Sequence, residues 1–291
     1  MTKEKVALRK VDAPFYNYFQ ALILSFFSSR LYVDVGKRWK GLGILYLLLV
    51  VFLFSIPFAW RITLEFNAFF EEQIIEPLSR MPAVFIQNGK VSFDKPMPYL
   101  IKNRAGQVVT IIDTTGKVNT IDNRYPYLTA LITTDRFFYR IPSPQLFFAK
   151  DMQKNPTQVL SQTFSPNINQ VFDGNTWIKS SGIERIKFLS QLMVYPTVAL
   201  LFFAMFLVFY LVFALMGQFL SKLFLNFSIS YKQACRLLMV SSTPQLLLLL
   251  LALAANVLFP GFGALLIIIF IGYYLFAMYS LKRESQKLVL L

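Results

Sequence analysis

An apolar strand running into Asp-Thr-Thr-Gly, at Ile111-Ile112-Asp113-Thr114-Thr115-Gly116, is the arrangement here that comes nearest to a reacting group. Aspartic proteases hold a catalytic Asp in an apolar-Asp-Thr-Gly turn. They need two such carboxylates side by side, so that one keeps a proton. In this chain an extra Thr separates Asp113 from Gly116, and there is no second copy. The motif therefore reads as a turn, in which Asp and Thr side chains bond backbone amides and Gly supplies a positive φ. Thr114-Thr115-Gly116-Lys117 also lacks the first Gly of a phosphate-binding loop.

Two other groups have reactive residue types. Glu65, Glu71, Glu72 and Glu76 carry the carboxylates a hard cation prefers. A cation needs ligands from several directions, and one helix presents them from one side, so a solvated helix face is the expectation. Cys235 stands beside Arg236, whose charge would lower a thiol pKa. The chain has no His, which removes the commonest general base and the commonest metal ligand. A Cys-His nucleophile is impossible, and one Cys allows no intrachain disulfide and no cysteine zinc site. Cys235 reads as an interfacial bystander. The expectation is a protein that is not an enzyme, with no catalytic residues, no metal and no cofactor.

The elements around these residues belong to a membrane protein. The segment Leu237–Leu281 has no charged residue and is closed by Arg236 and Lys282. As one helix it would be roughly 67 Å long, about twice the bilayer core. It must fold into two spans, and Pro260, Gly261 and Gly263 mark the break. The net charge of +14 fits basic flanks facing anionic lipid, and nucleic acid is not expected as a partner.

The expected fold is a membrane α-helical bundle of four transmembrane helices, with a small extracytoplasmic, mostly antiparallel β domain inserted between helices 1 and 2. Residues 1–40 form a basic cytoplasmic segment. Within it, Asp12 and Pro14 signal a helix start, and Phe15, Phe19, Leu22, Ile23 and Phe26 recur at helical spacing. This run is too short and too polar to span. It reads as an in-plane helix at the interface, with Arg9 and Lys10 near headgroups, or as a helix packed on the protein. No cleavable signal peptide is expected, because the first long apolar run starts near Gly41 without a cleavage site.

Span 1 is 41–60, with Trp39 and Trp60 near its ends and Pro57 as a kink site. Residues 61–187 hold eleven of the fifteen acids and form the β domain. Leu64–Leu78 reads as a polar helix. Val84–Ile86 and Lys90–Phe93 make a hairpin around Asn88-Gly89. Tyr99–Lys102 and Val108–Ile112 make a second, and Lys117–Ile121, Leu128–Thr133 and Phe137–Ile141 read as further strands. Residues 142–182 give no clear element, because Pro142, Pro144, Pro156 and Pro166 oppose long strands. Gly182–Gln191 is a helix leading into span 2 at 192–215. A cytoplasmic loop at 218–236, span 3 at 237–257, span 4 at 262–281 and a cytoplasmic tail at 282–291 complete the chain.

Before span 1 stand eight Lys and Arg against three acids, and the other two flanks on that side are also net basic. The positive-inside rule therefore puts both termini in the cytoplasm of a bacterial inner membrane. Arg30, Lys37, Arg38, Lys232 and Arg236 are the expected contacts to anionic inner-leaflet headgroups. Inside the spans, Thr243 and Gln245 lie at a depth comparable to Tyr273 and Tyr274. A polar contact between the two groups is expected, beside a kink at Pro244. No Asp, Glu, Lys or Arg lies within a span, which argues against an ion-coupled transporter.

Ile86-Gln87-Asn88-Gly89-Lys90, followed by the Asp113 segment, resembles the outer domain of an uncharacterised bacterial membrane-protein family. That family includes a membrane protein of maltodextrin-utilisation loci. Tyr231-Lys232-Gln233-Ala234-Cys235-Arg236 and then Thr243-Pro244 fit it as well, and look distantly like Yip-type integral membrane proteins. The resemblance implies an inner-membrane location and carries no catalytic residue. Two functions follow as expectations. One is an accessory or scaffold protein whose outward domain binds a protein, peptide or envelope partner by strand addition. The other is a lipid- or solute-handling protein that works through its helices.

Overall fold

The computed structural model describes residues 13–140 and 159–289. Arg9, Lys10, Ile141, Pro142, Pro144 and Pro156 lie outside them. In order, the elements are α1 (Tyr18–Leu24), α2 (Ser29–Lys37), α3 (Ile44–Phe54), α4 (Ile56–Phe70), a π-helical turn (Glu71–Ile75) and α5 (Glu76–Ser79). Eight strands follow: β1 (Val84–Gln87), β2 (Lys90–Ser92), β3 (Tyr99–Lys102), β4 (Val108–Ile112), β5 (Ala130–Ile132), β6 (Arg136–Arg140), β7 (Val159–Thr163) and β8 (Gln170–Phe172). The chain ends in α6 (Gly174–Ser181), α7 (Ile183–Leu225), α8 (Tyr231–Ser241), α9 (Thr243–Ala255) and α10 (Phe262–Val289). Two compact units result: Met1–Arg61 with Val194–Leu291, and Ile62–Met193.

The first unit is helical. Two helices, α7 and α10, are long and apolar enough to cross a membrane. Two bent pairs bring the number to four if each is one span: α3 with the helix from Ile56, bent by 44°, and α8 with α9, bent by 41°. Each bend falls two residues before a proline, Pro57 or Pro244, which cannot donate to the preceding turn and crowds its carbonyl. The break between α9 and α10 opens at Asn256, whose φ of 56° is left-handed, and closes at Gly261, with φ 94°. Leu201, Val208, Val212, Ile267 and Ile268 are exposed, as suits helices whose outer faces meet hydrocarbon.

The N-terminal run is two helices, not one. Asn17 caps α1 in a capping box with Gln20, and Ser28 caps α2. These side chains take the first free amides of each helix, so the start signalled by Asp12 and Pro14 moves to Asn17. The second helix is packed on the protein: Leu31, Tyr32 and Val35 join the core formed by α3, α8 and α10. Phe19 and Ile23 on α1, with Phe15 before it and Phe27 after it, stay exposed.

The second unit contains two sheets, in orders β2-β1-β8 and β3-β4-β5-β6-β7. Asn88 and Gly89 both have positive φ, 49° and 72°, as a two-residue hairpin turn requires. All strand pairs are antiparallel except β4 with β5. The strand expected at Lys117–Ile121 does not form. The Asp113 carboxylate takes the Val118 amide at 2.6 Å, which diverts it from any ladder, while Val118 and Ile121 still bury their side chains. The region from 159 onwards, which had no clear reading, supplies β7, β8 and α6.

Candidate functional site

The two sheets and α5 enclose an apolar cavity of about 210 Å³. Pro77, Leu78 and Met81 close one side. Val84 and Ile86 come from β1, Thr110 from β4, Ala130 and Ile132 from β5, and Phe137 from β6. Phe164, and Gln170 with Phe172 from β8, complete it. The alternation of β1 explains its share: Val84 and Ile86 are buried while Gln87 is exposed. The cavity exceeds the roughly 150 Å³ of an apolar void that admits benzene. Among the described residues, Thr110 and Gln170 are its only polar lining. Such a lining can desolvate an apolar group and orient it with one or two hydrogen bonds.

Beside the cavity, Glu76 accepts from Arg80 Nη2 at 2.6 Å and from Arg104 Nε at 3.3 Å. Arg80 also donates to the Lys102 carbonyl at 3.0 Å. Glu71 pairs with Lys187. Glu71 and Glu76 thus serve separate ion pairs and do not share a site. Among the described residues no cluster of three or more His, Cys, Asp or Glu is placed to hold a metal ion.

Asp113 is fully buried and both its oxygens are engaged. Oδ1 accepts from the Thr115 amide at 2.9 Å and its hydroxyl at 2.6 Å, and Oδ2 from the Val118 amide. Burial raises its pKa, but the Thr115 hydroxyl and the amides of Val118, Thr115 and Lys117 outweigh this and hold it below the ordinary value. The geometry is that of a turn organiser.

In the helical unit the expected contact from Thr243 and Gln245 to Tyr273 and Tyr274 is replaced by another. Thr243 Oγ1 meets Tyr46 Oη at 2.7 Å, linking α9 to α3. Gln245 Oε1 and Tyr274 Oη are buried with no hydrogen-bond partner among the described residues. Tyr274 packs on α7, where a Cβ at Gly217 would lie 2.3 Å from its hydroxyl oxygen. The reason lies in the helix faces: adjacent residues such as Tyr273 and Tyr274 point about 100° apart, so one partner cannot serve both.

The five expected headgroup residues separate. Arg30, Lys37 and Lys232 are exposed. Arg38 is committed to Asp34 at 3.3 Å and lies 4.0 Å over the Phe15 ring. Arg236 is corrected outright: it is 8% exposed and donates to the Gly36 carbonyl at 3.1 Å. Its neighbour Cys235 is fully buried within the protein. Residues 234–241 of α8 are all buried, so Arg236 has no outer face to take, and it shares the Gly36 carbonyl with Gln233.

Sequence reasoning passed over Asp34. It is 1% exposed, and its carboxylate accepts from the amides of Phe15 and Tyr16 and from Trp39 Nε1. Its signal was an acid between Leu31 and Val35 on the apolar face of a short helix. Tyr46 gave no signal, being one aromatic in an apolar run.

No curated protein and no solved structure matches the chain. A family pattern does match, over residues 19–278. The chain belongs to that family, DUF1189, whose members are described as proteins of unknown function.

Proposed function

We propose that this chain is a non-enzymatic accessory protein of a bacterial inner membrane, crossing it four times with both termini in the cytoplasm. Its β unit faces away from the cytoplasm and binds a protein or peptide partner. The observation that carries this reading is the apolar cavity in that unit, lined almost wholly by side chains suited to holding a group rather than reacting with it. Basic flanks around the apolar helices support the orientation. The test is gentle solubilisation and co-purification, paired with labelling of Asn88→Cys by an impermeant thiol reagent in intact cells. Asn88 is exposed at the hairpin tip, and the native Cys235 is buried. A stoichiometric partner and a labelled cysteine support the reading. A lone protein, or a cysteine that reacts only after the envelope is opened, sinks it.

A second reading, lipid or solute handling through the helices, rests on Gln245 Oε1 and Tyr274 Oη, buried and without a hydrogen-bond partner among the described residues. Such groups in hydrocarbon call for water or a polar ligand. Hydroxyl-radical labelling of membranes checks it. Modification of Tyr274 supports a hydrated interior, and full protection removes it.

A further inference from the structure

The cavity lies directly beside a strand edge, and the two together specify an occupant. Strand β8 ends its sheet, with β1 on its inner side and no strand beyond it among the described residues. Gln170 and Phe172 line the cavity, while Val171 between them is 57% exposed. A strand added along β8 would lie about 4.8 Å away, and its residues opposite Gln170 or Phe172 would point to the same face. They would meet the cavity. Of the other edges, two are engaged: the Val91 amide of β2 donates to the Thr134 carbonyl at 2.7 Å, and the Lys102 carbonyl of β3 accepts from Arg80; β7 is exposed but places no residue in the cavity lining.

We propose that β8 and the cavity form one peptide site, in which an extended segment pairs with β8 and inserts a bulky apolar side chain, Phe or Leu, between the sheets. This rests on the binding function proposed above and assigns its site and ligand class. An acyl chain fits the cavity less well as a full explanation, because it would leave the backbone donors and acceptors of the edge unused. Main-chain pairing supplies sequence-independent affinity, and the cavity supplies the preference.

The experiment uses the full chain in lipid nanodiscs. The probes are short, capped, fluorescent peptides of alternating Thr and Val with Phe, Leu, Ala or Asp at the centre, and binding is read by anisotropy. The Phe or Leu peptide should bind about tenfold or more tighter than the Ala peptide, and the Asp peptide weakest. N-methylation of its backbone amides should abolish binding. Ala130→Leu, which fills the cavity from β5, should erase the preference while leaving the Ala peptide's affinity in place. No peptide binding, equal binding of the N-methylated peptide, or displacement by decanoate without peptide discrimination overturns the inference. If Ala130→Leu fails to fold, the N-methylation comparison on the unaltered protein still decides. A cellular partner recovered equally by unaltered and Ala130→Leu protein would keep the binding function and discard this site. Peptide discrimination without any recovered partner would do the reverse.

Discussion

Arg236 Nη2 donates to the carbonyl of Gly36 at 3.1 Å, joining α8 to α2. Gln233 Nε2 reaches the same carbonyl at 3.1 Å. On the far side of Gly36, an added Cβ would lie 2.8 Å from a Leu281 methyl, so α2 is held between α8 and α10 at its tightest point. A cation expected to face lipid is thus a clasp between helices.

The clasp gives a direct contrast. Arg236→Ala should cost about 1.5–3 kcal/mol, the range for a hydrogen bond to a charged group. Lys232→Ala, one turn earlier and exposed, should stay within about 0.5 kcal/mol. Thermal unfolding in one detergent measures both. Equal, small losses would return Arg236 to the headgroups.

Asp34 ties the segment before α1 to the end of α2. Its carboxylate accepts from two backbone amides and an indole, with Arg38 beside it. Asp34→Ala removes the shared acceptor of these donors, the buried Trp39 indole among them, and should cost about 3 kcal/mol or more. Limited proteolysis near Phe15 should become faster in the variant. An unchanged digestion pattern would show that Asp34 does not hold that segment.

Asp113 predicts a pH dependence. Its native carboxyl titrates below its unfolded counterpart, so its stabilisation is complete above the ordinary value of about 3.9. It is lost as pH falls through the lower native value. Asp113→Asn should therefore be about 1–3 kcal/mol less stable than the unaltered protein at neutral pH. The gap should close in acid below the native value. Melting curves from pH 7 downwards test this, and a gap that persists through the acid range would contradict the assignment.

These residues also mark what a sequence displays. The Asn88-Gly89 hairpin and the bends before Pro57 and Pro244 were legible because their causes are local: two left-handed residues, or a missing amide. The pairing of Val84 with Phe172 was not, since it joins segments 88 positions apart and the second, β8, is too short to declare itself. The cavity depends on that pairing and was invisible with it. Lys117–Ile121 looked like a strand because Val118 and Ile121 are buried. A side chain had taken the amide a ladder would need. Within the helices, an apolar run shows that a helix meets hydrocarbon but not which neighbour a hydroxyl will face.

That last point can be measured at Tyr46 and Thr243, whose hydroxyl oxygens lie 2.7 Å apart between α3 and α9. Tyr46→Phe and Thr243→Val each remove one partner from a buried pair, and the double variant removes both. The Thr243 hydroxyl retains a bond to the Val240 carbonyl at 2.9 Å when Tyr46 is altered, which limits the loss. The cycle should return a coupling of about 0.6–2 kcal/mol, the usual scale for bonds between helices in lipid. Tyr274→Phe supplies the comparison. Its hydroxyl has no protein partner among the described residues, so its removal should be neutral or stabilising. A Tyr274 effect as large as the Tyr46 coupling would mean that the phenol is bound by something other than this chain, and would favour a polar ligand inside the helical unit.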